Sequence, residues 1–113
     1  MVATIGYEKS SLADFIGTLK LVNIEVLVDV RDRAQSRRQG FSKSALSNAL
    51  QNAGIGYVHM RELGDPKEGR DAARRGDYAA FRAIFNEVME SDSAKEAIAK
   101  LVELATDYQI CLM

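Results

Sequence analysis

The chain has 113 residues, of which 47% are hydrophobic and 27% charged, with eight glycines, one proline and a formal net charge of −1. That length and balance suit one packed domain and exclude a disordered or collagen-like chain. A single cysteine, Cys111, and a single histidine, His59, exclude an internal disulfide framework and a Cys/His structural zinc site, so no metal is expected.

No window is apolar enough to span a bilayer, and Met1-Val2-Ala3-Thr4 does not open a basic region followed by an apolar stretch. Neither a membrane association nor a signal or transit peptide is expected, and the default compartment is the cytoplasm. Charge is unevenly spread, at −2 over residues 1–30, +5 over 31–75 and −4 over 76–113. A basic middle attracts anions even in a neutral chain, although Asp32, Glu62, Asp65, Glu68 and Asp71 stand among its arginines and are placed to pair with them.

In chain order, residues 2–6 form a short β-type run closed by a glycine. Ser10 and Ser11 are candidate caps for a helix with Leu12, Phe15, Ile16 and Leu19 at helical spacing, ending near Val22-Asn23. Residues 24–30, rich in β-branched side chains, read as a strand buried on both faces, and a polar loop follows. Ser42 caps a second helix through Ala45, Leu46, Ala49 and Leu50, which Gly54 stops; residues 56–60 make a third strand. Residues 61–76, charged and holding the proline, read as a long surface loop. Asp77 caps a helix with Tyr78, Phe81, Ile84, Phe85, Val88 and Met89 inward, and Ser91-Asp92-Ser93 punctuates it. A further helix carries Ala97, Ile98, Leu101, Val102, Leu104 and Ala105, and residues 109–113 are a final strand.

This alternation predicts a single α/β domain with a mainly parallel sheet of about four strands and helices on its faces. Ligands of such sheets gather outside the carboxyl ends of the strands. The working edge is therefore expected at residues 6–10, 29–42 and 59–76, and at whatever follows Met113.

Asp29 ends a strand that should be buried, where an unpartnered carboxylate is costly. It is either a brace paired with an arginine or a group held at the edge to act on a ligand. The next loop supplies Arg31, Arg33, Arg37 and Arg38 before the helix start at Ser42. Guanidinium forks and helix starts hold anion oxygens, so Arg31, Ser36, Arg37 and Arg38, with Tyr7 after the first strand, are the candidate anion-binding residues. A mixed-charge exposed loop is the plainer alternative. Asp29 and His59 are the candidate catalytic residues, His59 because histidine as a residue type exchanges protons near neutrality, with a purely structural histidine as the alternative. No glycine pattern of the nucleotide-binding kind is present, and no cofactor follows from the residues. Cys111, within an apolar run, reads as a core residue.

These residues resemble the uncharacterised bacterial and archaeal family named domain of unknown function 488. The likeness runs through Thr4-Ile5-Gly6-Tyr7, residues 27–31 (Leu-Val-Asp-Val-Arg), Ser36-Arg37, Phe41, Gly54-Ile55 with Tyr57, Leu63-Gly64, Tyr78 with Phe81, and Leu101 with Leu104-Ala105. The Asp-Val-Arg segment followed five residues later by Ser-Arg is its specific part. The resemblance implies a compact α/β fold without a settled activity. Ala34 stands where members usually carry proline, which implies a more mobile loop. Members also continue past the last strand into a cysteine, a glutamate and a Cys-His pair, so the resemblance implies that a C-terminal continuation is missing after Met113.

Three functions stay open on this reading. One is an enzyme, or part of one, taking a small phosphorylated or otherwise anionic substrate at the strand ends. The second is a nucleic-acid-binding module, against which the net charge of −1 and the few aromatics of the basic segment argue. The third is a protein-interaction domain without catalysis, using helices between residues 78 and 105. The oligomeric state is open.

Overall fold

The computed structural model describes residues 2–6, 11–36, 39–64 and 66–113. Along the chain run β1 (Val2–Thr4), α1 (Leu12–Leu21), β2 (Val26–Asp29), α2 (Lys43–Asn52) and β3 (Gly56–His59), then a 3-10 turn (Arg61–Leu63), α3 (Lys67–Arg74), α4 (Tyr78–Glu90), α5 (Asp92–Asp107) and β4 (Ile110–Leu112). The strands form one sheet in the order β1-β4-β2-β3, and each neighbouring pair is parallel. The chain is therefore the α/β fold with helices on both sheet faces that its alternation predicts.

The connections β1-α1-β2 and β2-α2-β3 step across the sheet in one direction, and the path from β3 to β4 steps back. Right-handed crossovers then put α1 and α2 on one face and the returning helix on the other. Phe15 and Leu19 of α1, Leu46 and Leu50 of α2, Leu27, Cys111 and Phe41 share the first core, with the Phe15 and Phe41 rings edge to face at 5.2 Å. Burial pushes the Cys111 thiol up from its ordinary 9.0, as expected of an inert core cysteine. On the other face Val28 and Ile110 meet Met60 and Ala97, with Leu101, Leu104 and Ala105 of α5 packed around them. Both Leu27 and Val28 are fully buried, so β2 is covered on both faces. Ile98 and Val102, one turn apart on α5, point outward instead and are 41% and 60% exposed.

Local chemistry sets the helix ends. Ser11 Oγ accepts the Asp14 N–H at 3.2 Å, an Asp77 carboxylate oxygen accepts that of Ala80 at 3.1 Å, and Ser91 Oγ that of Ala94 at 3.2 Å. After α2, Gly54 takes φ +79°, the left-handed turn that ends a helix. Ser42 occupies the N-cap of α2, but its hydroxyl is turned to the backbone of Ser36, accepting the N–H and donating to the carbonyl, both at 3.3 Å.

Residues 61–76 are not the loop that composition suggests, because the 3-10 turn and α3 lie within them. Pro66 stands just before α3, where its missing N–H costs nothing. The buried face of α3 is made of Gly69 and Ala72, so no apolar periodicity marks it in sequence. At Gly69 the helix packs against α4: a Cβ there would stand 3.5 Å from Ile84 and 3.8 Å from Phe81, ordinary contact distances. Among the described residues no helix is long and apolar enough to cross a membrane.

Candidate anion site at the strand ends

Among the described residues Asp29 is the buried charge, at 0% exposure on the face of the sheet that carries Leu27. Arg31 meets it fork to fork, Nε donating to Oδ1 at 2.9 Å and Nη2 to Oδ2 at 2.8 Å. The Arg31 backbone N–H also donates to Oδ1 at 3.1 Å, and the Tyr57 hydroxyl donates to Oδ2 at 2.6 Å. Each carboxylate oxygen thus takes two donors, which fills its lone-pair sites. Burial pushes the Asp29 carboxyl up. Hydrogen bonds from the Arg31 guanidinium, the Tyr57 hydroxyl and the Arg31 N–H, with the Arg31 charge, outweigh it and hold the group below its ordinary 3.8.

The parallel register sets Leu27 beside Tyr57 and Asp29 beside His59. Tyr57 therefore leans along β3 to reach Asp29. His59 Nε2 lies 2.6 Å from the carbonyl oxygen of Arg31, and since a carbonyl only accepts, Nε2 carries the proton and donates. Three side chains of two strands thereby fix the backbone where the chain leaves β2.

Burial, then the Asp29 hydrogen bond and charge, raise the Tyr57 hydroxyl above its ordinary 10.0. A raised folded-state pKa stabilises the fold fully below that ordinary value, and the contribution fades as pH rises beyond it. Tyr57→Phe is expected to cost about 1.5–3 kcal/mol at neutral pH, as for a hydrogen bond to a charged group. Urea melts between pH 8 and 11 should also show that the variant loses less stability over that range than the wild type does.

Above this brace lies a cleft of about 810 Å³. Ile5 and Gly6 line it after β1, Val30 to Arg33 and Gln35 after β2, Leu63 and Gly64 after β3, and Met113 after β4, with Arg70 and Arg74 of α3 and Phe85 of α4 closing one side. Among the described lining residues there are thus four arginines and one carboxylate, Asp32, while Arg74 also lies 3.8 Å from Asp71 of its own helix. The Asp32 carboxylate lies 3.6 Å from Arg70 and 3.9 Å from Arg61, longer than the roughly 2.8 Å of a charge-assisted hydrogen bond.

The candidates read from sequence separate here. Arg31 lines the cleft, with the Nε and Nη2 edge of its guanidinium given to Asp29. Asp29 lies beneath the cleft, and His59 grips the Arg31 carbonyl from β3. Ser36 is tied to Ser42 at the start of α2, and the carbonyl of its buried neighbour Ala34 accepts the Lys43 N–H at 2.8 Å. Tyr7, Arg37 and Arg38 fall outside the described residues. Sequence reasoning missed Arg70 and Arg74 as lining groups because α3 was not visible. Their four-residue spacing, which puts two side chains on one helical face, was the available signal.

A family model described as Domain of unknown function DUF488 matches residues 11–113. Comparisons with curated proteins and with solved structures give no match.

Proposed function

We propose that this chain, which belongs to the DUF488 family, binds a small anionic ligand in the cleft at the carboxyl ends of its strands. The observation that carries the reading is the convergence of Arg33, Arg70 and Arg74 from two separate segments on a cleft in which, among the described residues, Asp32 is the lining carboxylate. A volume of about 810 Å³ suits a small molecule, whose pockets run roughly 300–1,000 Å³. Asp29, with its acceptor sites filled, orients Arg31 and does not act as a base. Arg37, Arg38 and Tyr7, next in sequence to cleft-lining or loop residues, belong to the proposed set. An extended nucleic-acid backbone suits the cleft less well, because these arginines converge in a concavity instead of following a surface track.

Calorimetric titration with sodium phosphate and sodium sulfate tests the reading. Binding is expected to weaken with salt. Arg70→Ala and Arg74→Ala should each weaken it roughly tenfold, equivalent to about 1.4 kcal/mol. Asp32→Asn removes a carboxylate that competes for Arg70, so it should tighten binding several-fold. Lack of heat and of thermal stabilisation with either anion, in a folded wild-type protein, overturns the proposal.

A further inference from the structure

We infer that the cleft takes an organic oxyanion with an apolar, ring-sized body, a phosphate monoester or a carboxylate being the charged end; this deepens the anion-site reading and rests on it. An inorganic ion would use the arginines and fill only a small part of about 810 Å³. Beside the arginines, Asp32 and Gln35, the wall carries apolar side chains from elements far apart in sequence: Ile5 after β1, Leu63 in the 3-10 turn, Phe85 on α4 and Met113 after β4. Each is only half-buried, so apolar surface stays wet beside the guanidinium groups. A ligand that buries it gains from both ends.

Phe85 gives the body its flat face. It lies one helical turn from Phe81, with ring centroids 6.0 Å apart and planes 20° from parallel, which holds its orientation. Arg70 and Arg74 lie on the neighbouring helix, which packs on α4 through Gly69. Cationic and aromatic groups are therefore carried by two helices in direct contact, and a ligand with charge at one end and a ring at the other spans them.

The test compares inorganic phosphate, methyl phosphate and phenyl phosphate on the wild-type chain by calorimetry, at low and at high salt. Phenyl phosphate is expected to bind at least about tenfold more tightly than methyl phosphate, corresponding to about 1.4 kcal/mol. That increment should persist at high salt while the affinity of all three falls, since salt screens charge and not apolar burial. Phe85→Ala should reduce the advantage of phenyl phosphate over methyl phosphate to under threefold. Equal affinity for the three phosphates overturns this inference and leaves the anion site standing. Silence from all three overturns the anion site, and the inference falls with it. Where Phe85→Ala does not fold, the wild-type series alone decides.

Discussion

Asp29→Ala is expected to lower stability by about 3 kcal/mol at pH 7, near the lower end of the cost of stranding one member of a buried ion pair. The lower end applies because Arg31 keeps 13% exposure and has some water to turn to. A typical domain has only about 5–15 kcal/mol in total, so the loss is a substantial share, and it should depress the melting temperature by roughly 12 °C. The variant takes the Asp29 carboxylate away from the Arg31 guanidinium and the Tyr57 hydroxyl. Asp29→Asn keeps an oxygen for Tyr57 but sets an NH2 group near a guanidinium, so it should lie between the two. The acid limb gives a second readout. A carboxylate whose folded pKa is lowered contributes fully above the ordinary 3.8 and loses that contribution as pH falls beneath it. Wild-type stability should therefore fall more steeply with acid than that of Asp29→Asn. A melting point within 2 °C of wild type for Asp29→Ala would show that the brace is dispensable.

The elements that hydrophobic periodicity marks are those the structure contains: β2, buried on both faces, and α1 and α2, whose inward Phe15, Leu19, Leu46 and Leu50 fall at helical spacing. Gly54 and Asp77 punctuate where the residue types say they should. What escaped sequence reasoning depends on tertiary placement. The insertion of β4 between β1 and β2 follows from the return crossover, which no local pattern encodes. The helix α3 buries a glycine and an alanine, so it has no apolar stripe to read, and the two arginines of its cleft-facing side went with it. Asp29 was legible as an anomaly, a carboxylate at the end of an apolar strand. Its bond to Tyr57 was not, because that needs the register pairing Leu27 with Tyr57. Tyr78, expected to face inward on α4 but 61% exposed, and Ile98 and Val102 on α5 show the converse, apolar residues at a plausible spacing that the fold does not cover.

Three glycine substitutions should separate in sign and size, and Gly64→Ala should be the most damaging. Gly64 has φ −89° and ψ 161°, a conformation alanine adopts without strain, so its cost is wholly one of space. A Cβ there would run into the Asp32 nitrogen and the Val30 carbonyl oxygen and stand 2.9 Å from the Asp32 Cα. These are backbone atoms at the exit of β2, fixed by the Asp29 brace, and no rotamer change relieves the clash. The expected loss is about 3 kcal/mol, the upper part of the usual range for overpacking. Gly76→Ala meets nothing within 4 Å but must hold φ +79°, so it should cost about 1 kcal/mol. Gly17→Ala, inside α1 with open space around it, should instead stabilise by about 0.5–1 kcal/mol. Urea melts of the three proteins measure the order. The same close approach joins Gly64 to the cleft, since the segment it presses on, Val30 to Asp32, forms part of the lining. Gly64→Ala should then weaken phosphate binding well below the temperature at which it unfolds, while Gly17→Ala and Gly76→Ala bind as wild type does. Unchanged binding in a destabilised Gly64→Ala would separate the cleft from the loop contact that shapes it.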